Sequence, residues 1–351
     1  MVTILALSSM IFANPCSAGP VLLYNASTGE VIYAEGANQP WFPASLAKLM
    51  TAYVVFDAWK TGKVVKTEKL VISVTAHRKP KLRLGLGVGQ EITYEDAMSA
   101  LVLLSANDIA VALAEDVAGS EELFVADMNA AATRLGMTGT HFTNASGLPG
   151  EGQFTTPKDL AILARALLRD FPQHMSIFSQ LTALVGERTI ASHNEILTSV
   201  VGGDGLKTGF TCSAGYNIVA SATRGGIRLV VIVLGEQTKA KRNARAAALL
   251  ERGFSGLATG TAVAAPTIEL IPDEGFDAAS VRASNLDKRF QACLDPDPLS
   301  AAADTNIGPG ELKIASKAQQ AVELQRNKLH RAQATRKQTK HHEMNGSVDD
   351  N

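Results

Sequence analysis

Two hydrophobic periods alternate along this chain, and the switches between them mark out its elements. Near the N-terminus the apolar runs 20–24 and 31–33 flank Asn25-Ala-Ser-Thr-Gly29, which predicts two strands joined by a tight turn. Leu46, Leu49, Met50, Tyr53 and Val54 then recur at helical spacing, and the stretch from Tyr53 to Ala58 is apolar nearly all round. A helix of that kind belongs in the middle of a domain, because it has no polar face to turn toward water.

Local punctuation sets the next elements. Thr93 ahead of Glu95 and Asp96 predicts a helix to about Leu104, and Ser120 opens another, with two acids in its first turn and Gly136 to end it. Thr156-Pro157-Lys158-Asp159 supplies a cap, a first-turn proline and an acid for a helix to about Arg169. Strand-like runs follow at 206–211, 216–222 and 227–234, separated by the turn-forming stretches Cys212-Ser-Ala-Gly215 and Arg224-Gly225-Gly226. A helix rich in Ala, Arg and Leu closes the region near Gly253. Strands at both ends with helices between predict an α+β fold. Its single antiparallel sheet would take two strands from the N-terminal end and three from the C-terminal end, with helices on its faces. Gly85-Leu-Gly87-Val-Gly89 reads as a glycine-rich strand and turn; it does not match Gly-x-Gly-x-x-Gly and opens no helix, which argues against nucleotide binding.

The two ends differ from this middle. Val2 to Ala13 is mostly apolar and uncharged, and Cys16-Ser17-Ala18 places small residues before Gly19, as at a cleavage site. Twelve such residues are too short to span a bilayer as a helix but match the apolar core of an export signal, so residues 1–18 are expected to be a signal peptide. No Lys or Arg lies near Met1, so either the terminal amine serves as the positive end or translation starts upstream. From Ser255 onward small and acidic residues dominate to about Pro298, and the last stretch is polar and basic with few apolar residues. Residues 255–351 are therefore expected to be a linker and tail, exposed helix or disorder, leaving 19–254 as the globular domain.

Composition narrows the function classes. The chain has 351 residues, 46% of them hydrophobic, and a net charge of −1, which suits an ordinary soluble domain and offers no basic excess for nucleic acid. Of three cysteines, only Cys212 and Cys293 would survive cleavage; they lie in different regions and are not expected to pair.

Three short runs carry the chemistry: Ser45-Leu46-Ala47-Lys48, Ser105-Ala106-Asn107 and Lys207-Thr208-Gly209, about 60 and then about 100 residues apart. Ser45 sits where a helix begins, close to unpaired backbone N–H groups, and Lys48 lies one turn away on the same face. A serine hydroxyl attacks only if a base takes its proton, and an amine can do so once burial or a second cation has displaced its own. Lys207 offers that cation and an anchor for a carboxylate. Ser105 and Asn107 fall where the chain must leave a helix, so a hydroxyl and an amide are available to relay a proton and bind a substrate amide. Glycine on an edge strand lets a substrate backbone approach. Each run alone has a bland reading: an N-cap serine with a solvated lysine, a helix break with an Asp108 cap, a strand with a surface lysine. Their order and context together point to acyl transfer through a serine ester.

Longer stretches make the resemblance specific. Pro43-Ala44-Ser45-Leu46-Ala47-Lys48, Asn107-Asp108, Thr140-His141-Phe142 with Gly147-Leu148, Asp204-Gly205-Leu206-Lys207-Thr208-Gly209 and Ala214-Gly215-Tyr216-Asn217 resemble the low-molecular-mass penicillin-binding proteins, specifically serine-type D-alanyl-D-alanine carboxypeptidases, from about Val21 to Phe254. The resemblance implies a β-lactamase/transpeptidase-like fold, its five-stranded sheet joined to a mostly helical subdomain. It also implies removal of the terminal D-alanine from peptidoglycan pentapeptide stems, acylation by β-lactams, and no metal or organic cofactor. By resemblance Ser45 is the nucleophile, Lys48 its proton acceptor, and Ser105 and Asn107 the relay and a substrate-binding amide. Lys207, Thr208 and Gly209 form the strand that pairs with the peptide, the N–H groups of Ser45 and Phe210 the oxyanion hole, and Arg242 a partner for the terminal carboxylate.

Relatives often add a small C-terminal β domain and an amphipathic membrane helix. The region after Ser255 shows neither strand alternation nor an apolar face, so a soluble or differently tethered periplasmic enzyme is expected. A class A β-lactamase would share the three runs, but no Glu-x-x-Leu-Asn lies between Asn107 and Lys207. A D,D-endopeptidase of the same fold stays open, as does a penicillin-sensing or muropeptide-binding module, which would normally carry a membrane-spanning segment.

Overall fold

In the computed structural model, residues 19–80, 82–259 and 266–272 are described. Among these described residues nine strands and eight α-helices follow in order: β1 (Val21–Asn25), β2 (Val31–Glu35), α1 (Lys48–Lys60), β3 (Lys69–Val71), α2 (Val74–His77), β4 (Glu91–Thr93), α3 (Tyr94–Ser99), α4 (Asn107–Ala118), α5 (Glu121–Leu135), α6 (Pro157–Asp170), β5 (Thr182–Val185), β6 (Arg188–Ala191), α7 (Ile196–Ser199), β7 (Gly203–Thr211), β8 (Gly215–Arg224), β9 (Ile227–Glu236) and α8 (Lys239–Ala258). The main sheet is antiparallel in the order β2-β1-β9-β8-β7, so the two chain ends of the domain meet at β1 and β9, with Val21 opposite Val233. β3 pairs with β4 and β5 with β6 in two small two-stranded sheets, of which only β5–β6 is a hairpin.

Side chains alternate across a strand, and here both faces of the sheet are covered. Val230, Ile232 and Leu234 of β9 join the larger core with α1, α4 and α6, whereas Leu229, Val231 and Val233 pack on Ala246 and Leu250 of α8. This is why β9 reads as an unbroken apolar run. α1 lies within the larger core and buries ten of its thirteen residues, as its all-round apolar sequence requires.

The cap signals have the expected geometry. Thr93 Oγ1 accepts from the Asp96 N–H, Ser120 Oγ from that of Leu123 and Thr156 Oγ1 from that of Asp159, each at 3.1–3.2 Å. The helix from Thr93 differs at its far end: regular winding stops at Ser99, 100–104 forms a π turn, and Ser105 adopts a left-handed φ of 61°. The 85–89 run is a loop rather than a strand, with Gly85 and Gly89 at φ near +80°. Asp108 fixes this loop by accepting from the N–H groups of Leu84 and Gly85.

The packed region also continues past residue 254. α8 runs to Ala258, and 266–272 folds back on the domain: Val31 N–H donates to the Pro266 carbonyl, Lys158 Nζ to that of Ile271, and Ile268 is fully buried. The expected signal peptide, and the tail beyond residue 272, lie outside the described residues. Cys212 is disulfide-bonded, against the expectation that it stays unpaired; it is the only cysteine among the described residues. Among them, too, no helix is long and apolar enough to cross a membrane.

Candidate active site

Ser45 sits in a single 3₁₀ turn, 44–47, ahead of α1. Three neighbours force this turn into place. Asn217 of β8, fully buried, donates from Nδ2 to the carbonyls of Phe42 and Pro43 at 2.9 and 3.3 Å and accepts from the Gly235 N–H. Gly147, at φ +79°, presses so close that a Cβ there would lie 1.8 Å from the Ala44 carbonyl oxygen. Ala44 itself is held at φ +49°, a conformation that a residue with a side chain adopts only under constraint. Gly209 of the edge strand β7 completes the wall: a Cβ there would meet Ser45 N at 3.1 Å and Leu46 N at 3.2 Å. The expected use of this glycine was access for a substrate backbone. Its first duty is room for the chain's own serine turn. Gly209→Ala is therefore expected to push the turn by a few tenths of an ångström and lower kcat/KM about tenfold, measured on a D-alanyl-D-alanine peptide.

Lys48 is 1% exposed, which rules out a solvated lysine. Its Nζ contacts Asn107 Oδ1 at 2.7 Å, the Ser146 carbonyl at 2.5 Å and Ser45 Oγ at 3.1 Å. The first two partners can only accept, so in the neutral amine they would take its two N–H bonds and leave the lone pair for the Ser45 hydroxyl. Burial, then the Lys207 cation, hold the Lys48 pKa well below the ordinary lysine value, with Asp108 opposing.

Ser105 projects from the left-handed residue between the π turn and α4, its Oγ buried with no partner among the described residues. Two residues on, Asn107 faces Lys48 and ties in the preceding loop, donating from Nδ2 to the Pro80 carbonyl at 2.9 Å.

Lys207 is 2% exposed and donates to the Thr208 carbonyl at 3.0 Å. Burial, and then the Arg242 cation, lower its pKa to about 7. Arg242, in the first turn of α8, is 3% exposed, and burial lowers its pKa to about 10. Arg242, Lys207 and Lys48 thus form a line of buried basic groups in which Arg242 lowers the pKa of Lys207 and Lys207 that of Lys48. Thr208 lies buried beside Lys207, while Phe210 is half exposed and stacks on its cross-strand neighbour Tyr216, ring centroids 4.2 Å apart.

Of the sequence-derived residues, Ser45, Lys48 and Asn107 meet through hydrogen bonds, Gly209 lies against the serine turn, and Lys207 and Arg242 act electrostatically, while Ser105 Oγ makes no hydrogen bond to any of them. Three roles escaped the sequence reading, although Asn217 and Asp108 stand in the stretches that carry the resemblance: the Ser146 carbonyl, the Asn217 clamp and the Asp108 loop anchor. An asparagine inside the apolar run 216–222 was the one available signal, because a fully buried amide must find partners. Among the described residues no group of three His, Cys, Asp or Glu is placed to hold a metal ion.

Residues 10–238 match the D-alanyl-D-alanine carboxypeptidase peptidase family. The chain is 35% identical over 268 residues to D-alanyl-D-alanine carboxypeptidase DacC of Escherichia coli, covering 74% of this chain and 67% of that one. It is 35% identical over 240 residues to DacA of the same organism, covering 66% and 60%. The chain therefore spans about three fifths to two thirds of the length of these curated relatives. Penicillin binding protein 5 from Haemophilus influenzae superposes with a TM-score of 0.65 at 32% identity, over 68% of this chain and 71% of that one. Penicillin-Binding Protein D2 from Listeria monocytogenes in its ampicillin-bound form gives 0.60 at 34%, over 68% and 97%. A serine turn packed against a Lys-Thr-Gly edge strand, a buried lysine hydrogen-bonded to that serine, and a family match across most of the domain lead to one assignment: this chain belongs to the D-alanyl-D-alanine carboxypeptidase family.

Proposed function

We propose that this protein hydrolyses the terminal D-alanyl-D-alanine bond of peptidoglycan stem peptides through an acyl-serine intermediate. The observation that carries the proposal is the buried Lys48 Nζ lying 3.1 Å from Ser45 Oγ, its other two partners being acceptors only. Ser45 Oγ attacks the carbonyl carbon of the penultimate D-alanine as Lys48 takes its proton. The oxyanion is stabilised by the N–H groups of Ser45 and Phe210, which the close packing of Gly209 on the serine turn supports. The tetrahedral carbon expels D-alanine, its amine taking a proton relayed through Ser105 from Lys48. Water, deprotonated by Lys48, then cleaves the ester, and the Ser45 hydroxyl is restored. Asn107 binds the peptide amide, Thr208 and Gly209 pair with the peptide, and Lys207 and Arg242 hold the terminal carboxylate.

A β-lactam presents a strained amide with a nearby carboxylate, so it would enter the same path and stall at the ester. We place the enzyme in the cell envelope, exported by residues 1–18, where the stem peptide is found. The test is a mass spectrum after incubation with benzylpenicillin, followed by D-alanine release from a pentapeptide. One adduct on the peptide bearing Ser45, with stoichiometric D-alanine, is the expected result. An absent adduct overturns the proposal, and penicillin turnover at many cycles per second reassigns the enzyme as a β-lactamase.

A further inference from the structure

We infer that Asn243 and Glu195 are positioning residues that hold the Arg242 guanidinium in register for a substrate carboxylate, and so set the preference for a free C-terminal acid. The inference rests on the reading of Arg242 as a carboxylate partner.

The geometry is a relay running from the surface to a buried cation. Lys239, at the start of α8, forms an ion pair with Glu195, which sits just before α7. Glu195 Oε2 accepts from Asn243 Nδ2 at 2.5 Å. Asn243 Oδ1 in turn accepts from both Nε and Nη2 of Arg242, at 3.0 and 2.8 Å, and Nη1 donates to the Asn217 carbonyl at 3.5 Å. Chemistry fixes the asparagine amide in this orientation. A carboxylate only accepts and a guanidinium only donates, so the NH2 must face Glu195 and the oxygen must face Arg242.

Three of the five guanidinium N–H bonds are thereby committed, leaving one on each terminal nitrogen. That remaining pair is the fork a carboxylate grips in bidentate fashion. An amide is the group suited to position 243. It orients Arg242 without bringing an anion against it, whereas a direct carboxylate would neutralise the cation and compete with the substrate. Glu195 stays one hydrogen bond further out, where it fixes the amide. The same guanidinium reaches the carbonyl of Asn217, whose side chain clamps the serine turn, so carboxylate grip and nucleophile position share one anchor.

The test compares kcat/KM for a peptide ending in D-alanyl-D-alanine with that for its C-terminal carboxamide. Arg242→Ala is expected to collapse the acid-over-amide preference. Asn243→Ala is expected to lower it about tenfold, through KM on the acid with kcat within about twofold, because a misaligned guanidinium loses one charge-assisted bond. Asn243→Asp should lower it further. Glu195→Ala is expected to cost about threefold and to add nothing on top of Asn243→Ala, as groups in one relay do. Glu195→Gln, which keeps an acceptor, recovers most of the preference. Glu195 lies at the surface, so its variants read the relay even where Asn243→Ala folds poorly. If Arg242→Ala loses the preference while the Asn243 and Glu195 variants keep it, the relay is overturned and the reading of Arg242 stands. If Arg242→Ala keeps the preference, that reading falls, and the relay with it.

Discussion

Replacing Ser45 by alanine is expected to abolish both penicillin adduct formation and measurable D-alanine release, a fall of roughly 10⁴- to 10⁶-fold in kcat. The size follows from the route, because without Oγ no ester can form and the remaining donors act only on unassisted attack by water. The fold should survive. Ser45 is half-buried and its Oγ has one hydrogen bond, to Lys48 Nζ, whose other two partners remain. The thermal midpoint should therefore stay within a few degrees of the parent, and the variant should still bind pentapeptide in equilibrium dialysis. An adduct on any other residue of the Ser45→Ala protein would displace this serine from the centre of the reaction.

How far the sequence alone reaches can be followed residue by residue. Thr93, Ser120 and Thr156 announced their helices because an N-cap is settled by atoms within four residues, and all three accept the bond their position implies. The five-strand sheet was legible because runs at both ends had strand period and the turns between 212–215 and 224–226 were short. The π turn at 100–104 was not, since Ala-Leu-Val-Leu-Leu suits an ordinary helix; what ends it is the left-handed Ser105, held between α3 and α4. The order of the three runs pointed to Ser45, Lys48 and Lys207, but burial of the lysines is a property of the folded chain. Nothing in their neighbours along the chain separates them from surface lysines. Contributions made through backbone atoms are the least legible of all. The Ser146 carbonyl that orients Lys48, and the backbone squeeze of Gly147 on Ala44, leave no trace in side-chain identity. The relay through Asn243 and Glu195 joins residues 48 positions apart, so no local pattern carries it.

Burial of Lys207 sets function against stability, and Lys207→Met should expose the conflict. Activity should fall by about 10²- to 10³-fold, the cost of removing one preorganised cation from the carboxylate end of the site. Stability should rise. A protonated Lys207 is desolvated with one hydrogen bond, to the Thr208 carbonyl, and shares the cleft with Lys48 and Arg242. The pH dependence fixes the sign. The folded pKa is about 7 against an ordinary 10.5, so between those values the unfolded chain holds a proton that the folded chain has lost. Native stability of the parent therefore increases with pH across that window and is lowest below about 7. The methionine variant lacks this slope. Its advantage in urea denaturation should be widest at pH 6, on the order of a few kcal/mol, and should shrink as pH approaches 10.5. Removing Lys207 also lifts one of the causes that depress Lys48, so the acid limb of the residual kcat/KM profile should move to higher pH. A stability gap that does not change with pH would mean that burial and Arg242 do not depress Lys207, and an unmoved acid limb that Lys48 does not sense Lys207. The proton-acceptor role of Lys48 would then rest on burial alone.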